Sequence, residues 1–316
     1  MKRCRMDNEQ GEVKVNGLRN VLKIGEGIMK KSIFVRLSIL VLAIWAVGAV
    51  HGGVPLNSLD GTGGIAFNPL AFTSGLDIEG NDWISKPQIG AWYVQLSESN
   101  IKWSSYSLSL SIAKRVELSY AFNLVNAKDY GDNNIEANTV GLKIRLLDEN
   151  AFDSNWVPAV AIGVKYRHTD SNTTDLFKLD DAGFNYYIVA SKLITQLPLP
   201  VLVSVGAQRS DEVVYGVVGH NHYGTGVFAN IDVLPSENVA IGVEYRQGID
   251  VGDSSKVPGG IENADYWNGH VAWFVTKQLT LVGAYVNTGN KEGFLKHGYG
   301  ELGVGDGFVL SVQYQF

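Results

Sequence analysis

Four cations fall at alternate positions in two successive stretches of this sequence: Lys143 and Arg145 in TVGLKIRLL, and Lys165 and Arg167 in AIGVKYR. A chain extended at period two puts these charges on one side and Leu142, Ile144, Val164 and Tyr166 on the other. Charge gathered on the wall of an aqueous passage sets ion selectivity, and cations draw anions. Glu117, Asp232, Glu244 and Arg246 share that inward parity in their own stretches, so the wall also carries acids. Two outcomes follow from the residues alone. Lys143, Arg145, Lys165, Arg167, Glu117, Glu244 and Arg246 line a pore, or these charges satisfy one another or a segment folded among them.

Other chemistry has weaker support. Gly61-Thr62-Gly63-Gly64 has the glycines of a phosphate cradle, yet no Lys-Ser or Lys-Thr follows, so a flexible turn is the expectation. His220-Asn221-His222 puts two imidazoles in a long polar stretch without evident further ligands, and a solvated loop accounts for it. No nucleophile motif stands out, so no catalytic residue, metal or cofactor is assigned and the protein is expected not to be an enzyme. The balance is mildly acidic, net charge -6 with 18% charged residues. That leaves no basic stripe for nucleic acid.

The elements that must position these charges are strands. Segments of about ten residues alternate apolar and polar along the chain. YSLSLSI sets Tyr106, Leu108, Leu110 and Ile112 against serines, and VELSYAFNL sets Val116, Leu118, Tyr120, Phe122 and Leu124 against Glu117, Ser119, Ala121 and Asn123. Counting QIGAWYVQL (88–96) as the first, about twelve such strands run to the C-terminus. Short links such as Ala113–Arg115 and Pro235–Asn238 alternate with long polar ones: Asn126–Ala137, His168–Gly183, Ser210–Tyr223, Gly248–Ala264 and Asn287–Asp306. Short turns at one rim and long loops at the other mark an outer-membrane barrel. The expected fold is therefore all-β, a transmembrane antiparallel β-barrel of about 12 strands preceded by a Gly-rich segment.

The ends agree with that setting. From Met29 the chain has Lys30, Lys31 and Arg36, a short apolar run and then small residues, the pattern of a secretory signal over 29–49. Residues 1–28, which hold the only cysteine, Cys4, read as a misassigned upstream extension. Residues 50–87 form an N-terminal segment, a plug or additional strands, and 88–316 the barrel. The chain closes on GFVLSVQYQF, where Phe308, Leu310, Val312, Tyr314 and Phe316 alternate with smaller or polar residues. This resembles the terminal signal read by the outer-membrane barrel assembly machinery, and it implies that machinery as a partner, besides outer-membrane lipid and lipopolysaccharide.

The stretch VPLNSLDGTGGIAFNPLAF (54–72) is similar to the opening of a proteobacterial outer-membrane family of unknown function. The resemblance supports a barrel and brings no substrate. Many inward residues are small, among them Ser105, Ser107, Ser109, Gly141, Ala161, Gly163 and Gly206, and cannot themselves fill a lumen of twelve strands. Either water occupies it, giving a narrow porin-like channel for small polar solutes, anionic ones included, or the segment 53–87 folds in and makes a structural or envelope-assembly barrel. An outer-membrane hydrolase is the remaining alternative.

Overall fold

The computed structural model describes residues 56–75, 83–128, 132–170, 180–250, 262–289 and 301–316. The expected extension and signal sequence lie outside them. Period-two alternation yields strands almost everywhere it was read: β1 (Gln88–Leu96), β2 (Ile101–Ile112), β3 (Val116–Ala127), β4 (Asp132–Leu147), β5 (Ala159–Asp170), β6 (Ala182–Ile194), β7 (Val201–Val213), β8 (Val218–Ser236) and β9 (Val239–Arg246). A two-residue β10 (Glu262–Asn263) precedes β11 (Tyr266–Phe274) and β12 (Leu279–Asn287), and another, β13 (Glu301–Leu302), precedes β14 (Asp306–Gln315). β10 and β13 pair with each other, parallel, apart from the main sheet.

The other strands, twelve in number, form one closed barrel in which each strand pairs antiparallel with its neighbours. Closure joins the first strand to the last, from Gln88 opposite Gln315 to Leu96 opposite Gly307. No barrel edge is left unpaired, as a bilayer demands of a spanning sheet. Phe316 follows directly, its N–H donating to Pro87 O at 3.1 Å and its ring edge-on to Tyr314.

The two faces differ as the alternation requires. Leu118, Val140, Leu142, Ile162, Ile188, Val205, Ile231, Ile241, Val243 and Leu310 are exposed on the outside, while Ser105, Ser109, Glu117, Lys143, Ser191, Ser204 and Glu244 are buried inside. Toward the long-loop rim the outer face carries Tyr93, Tyr166, Phe184, Tyr245, Trp267 and Tyr285, all exposed. Trp83, Phe152 and Trp156 are exposed at the short-turn rim. An apolar band between two aromatic girdles is the surface a bilayer selects. Val243→Arg, in the middle of β9, is therefore expected to destabilise the barrel in lipid by about 2–4 kcal/mol. Urea titration in phospholipid vesicles measures it, and a loss below about 0.5 kcal/mol would mean that Val243 does not face lipid.

One expected loop is not a loop. Over 210–223 the chain continues as β7 and β8, joined by a tight turn at 214–217, so His220-Asn221-His222 lies within β8. The register shifts between Ser210 and Glu212. Such a bulge re-aims side chains, and here Asp211 and Glu212, within the expected long link Ser210–Tyr223, turn into the lumen. The hairpin tip leans inward as well: Val213, Val217 and Val218 pack in one apolar cluster with Leu59, Phe67, Trp103, Leu96 and Ile101.

Candidate functional site

The lumen is occupied by residues 56–75. Glycine chemistry lets this segment press against the wall. Gly61 takes a left-handed conformation, φ +87°, against the Tyr120 backbone, and a Cβ on Gly63 would sit 2.5 Å from Glu117 Oε2 and 2.9 Å from Lys143 Nζ. The GTGG stretch is thus a wall-packed turn. Small inward residues make space for more than this segment: Gly163 faces the Tyr187 ring and Gly206 the Phe228 ring.

Two clamps hold the segment. On β3 and β4, Glu117 and Lys143 pair at 3.0 Å, both side chains almost fully buried. Glu117 accepts from Gly63 N–H at 2.8 Å and Ser74 N–H at 2.7 Å, and Lys143 donates to Gly63 O at 2.8 Å and Leu70 O at 3.2 Å. The pair therefore ties both ends of the loop 63–74. Across the lumen on β9, the Glu244 carboxylate accepts from three successive backbone N–H groups, those of Ala66 (3.2 Å), Phe67 (3.0 Å) and Asn68 (3.0 Å), and from Asn268 Nδ2 at 2.6 Å. A buried carboxylate has to be compensated, and here the plug backbone supplies the donors. Serines complete the docking: Ser105 Oγ donates to Leu59 O at 2.7 Å, Ser111 Oγ to Ser74 O at 2.6 Å, and Ser191 Oγ accepts from Ala71 N–H at 2.9 Å.

Nearer the long-loop rim the remaining cations are neutralised. Lys165 pairs with Asp60 of the plug at 2.5 Å and stands 3.8 Å from Glu212; Arg167 pairs with Asp211 at 3.0 Å and Arg246 with Glu212 at 2.6 Å. Arg246 also lies under the Tyr215 ring of the hairpin tip, and the Tyr215 hydroxyl donates to Phe67 O of the plug. Arg145 stands apart at the short-turn rim, 3.1 Å from Asp148, which also pairs with Arg115. A bare cationic wall is therefore not what these residues build: the structure takes the internal-pairing alternative, with plug and hairpin supplying acids.

Asp60 shows how strongly the plug is tied. Burial alone would raise its carboxyl, but Lys165, Ser58 and the Thr62 N–H together hold it at about 2 instead of the ordinary 3.8. A depressed carboxyl contributes stability above its unfolded value and loses it as pH falls through the folded one; here the contribution is about 2 kcal/mol. The part of the plug's protection from protease that Asp60 supplies, read as the difference between wild type and Asp60→Asn, is expected to stay level from pH 7 down to about 4 and to weaken only toward pH 2. Asp60→Asn should remove the acid-dependent part, and a loss already complete at pH 5 would contradict the pairing.

Several of these residues escaped the sequence reading. Asp60 lies in a stretch with no periodicity, and Asp211 and Glu212 are shifted by the bulge. His270 also went unnamed, although parity would have found it: it shares the inward side with Asn268, opposite outward Trp267, Val271 and Trp273. Its ring nitrogens meet Asp232 Oδ1 at 2.6 Å and Asn268 Oδ1 at 2.9 Å.

A closed antiparallel barrel of twelve strands, apolar outside, polar inside and filled by its own N-terminal segment, defines a transmembrane β-barrel of the outer-membrane class. The chain belongs to the family described as "Protein of unknown function (DUF3034)", whose profile matches residues 52–297. No curated protein matches the sequence. Among solved structures the chain is similar to the KdgM porin (TM-score 0.46, 13% identity, covering 72% of this chain and 99% of that one) and the NanC porin (0.47, 10%, 72% and 98%). It is also similar to an outer membrane channel from Pseudomonas putida F1 (0.45, 13%, 75% and 98%).

Proposed function

We propose that this protein is a porin-like barrel held closed by residues 56–75, in which small polar solutes pass only when that segment is displaced. The observation that carries the reading is the Glu244 carboxylate on three plug N–H groups, a contact made by charge and hydrogen bonds, which water can replace when the plug leaves. With the plug displaced, Lys143, Lys165, Arg167 and Arg246 would face Glu117, Asp211, Glu212, Glu244 and Asp232. A wall so balanced favours neither sign strongly, so the expected open state is weakly selective. No catalytic step enters this reading.

Liposome swelling tests it. Glu244→Ala leaves three plug N–H groups without their acceptor, each worth about 1–3 kcal/mol when buried, so vesicles bearing the variant should swell in a small sugar much faster than those bearing the wild type. Equal, negligible swelling from two folded proteins would favour the second reading, a structural barrel whose lumen is permanently filled.

A further inference from the structure

At the short-turn end of the lumen the wall turns apolar. Beyond Ser191, Ser204, Asp232 and His270, the last inward positions of five strands are Leu193, Leu202, Leu234, Ala240 and Phe274. Together with Leu56, Ile65, Leu70 and Phe72 of the plug they enclose a chamber of about 290 Å³ with an overwhelmingly apolar lining. The plug roofs it, while Leu193, Leu202, Leu234 and Phe274 stay partly exposed at its mouth. Apolar walls of this kind hold water poorly and take up apolar molecules.

We propose that this chamber binds a single alkyl chain, the tail of a one-chain amphiphile. The volume approaches the lower range of ligand pockets, which combine apolar walls with a few polar groups. It is about twice the ~150 Å³ of an apolar cavity that admits one benzene, enough for a chain of roughly ten carbons. At the inner end His270 and Asp232 are each other's partners at 2.6 Å and offer no vacancy to a headgroup. The buried Ser74 hydroxyl, also in the lining, has no hydrogen-bond partner among the described residues, which suits a hydroxyl head. Closure of the pore enters only through the plug as roof, so conductance and ligand binding can fail independently.

A ten-carbon alcohol carrying a diazirine, added to the wild-type barrel in phospholipid vesicles and photolysed, should label Leu202, Leu234 and Phe274. Ala272→Phe projects bulk into the chamber and should cut that labelling about tenfold, a change of about 1.4 kcal/mol, while heat-modifiable migration and labelling of lipid-facing Val243 stay unchanged. Leu234→Ala enlarges the chamber and should make unlabelled hexadecanol the stronger competitor. A chain recovered by organic extraction of the purified protein would give a membrane source, and an empty extract with positive labelling an external one; both support the site. Labelling confined to lipid-facing residues, or unchanged in Ala272→Phe, would overturn the proposal. So would labelling that appears only after residues 50–55 are removed, because the chain's own segment would then be the occupant.

Discussion

Replacing Glu117 with alanine is expected to release the plug and leave the barrel standing. The substitution strips Lys143 of its acid where neither side chain meets solvent, and it leaves Gly63 N–H and Ser74 N–H without acceptors. Breaking a buried pair by removing one partner costs about 3–5 kcal/mol. The barrel can avoid that cost, because once residues 56–75 leave, water reaches Lys143. The penalty therefore falls on the docked state. Chymotryptic cleavage at Phe67, Leu70 or Phe72 tracks the open population when docking is fast, so its rate should rise by at least about a hundredfold. Glu117→Ala combined with Lys143→Met should recover much of the protection, since the uncompensated charge is gone. Unchanged cleavage in the single variant would show that the pair does not hold the plug.

The barrel was legible because a spanning sheet imposes one strict rule on every residue. Leu118 outside and Glu117 inside, or Ile144 outside and Lys143 inside, follow from parity alone, and closure of β1 on β14 follows from the cost of an open edge in lipid. Inward direction was readable for Lys143, Lys165, Arg167, Glu244 and Arg246. Their partners were not. Ion pairing depends on register between strands and on a segment without periodicity, and nothing in the spacing of Asp60 connects it with Lys165, 105 positions away. The hairpin at 210–223 misled for a related reason: a bulge and a run of polar residues look like a loop, although Asp211 and Glu212 are polar because they face cations. The GTGG turn was readable as a turn, while its contact with Glu117 and Lys143 required the fold.

Excising residues 56–75 carries the largest expected functional effect. The register that closes the barrel, Gln88–Leu96 against Gly307–Gln315, lies outside the excised segment, so the sheet has every strand it needs. The side chains that held the segment most closely, Glu117, Lys143, Lys165 and Glu244, are charged and become hydrated. Tyr215 loses Phe67 O, its tie to the plug, and the apolar seal loses Leu59 and Phe67. Twelve strands lie between a barrel filled by its side chains and one with a wide aqueous channel, and a lumen walled by serine, alanine and glycine leaves water a narrow path.

Single-channel recording in planar bilayers, comparing the wild type with the chain lacking residues 56–75, tests closure by the plug most directly. Stepwise openings are expected in the shortened protein, only weakly ion-selective under a salt gradient, and no resolved steps from the wild type. Wild-type steps of the same size would contradict closure by the plug, because the segment would then not be what closes the lumen.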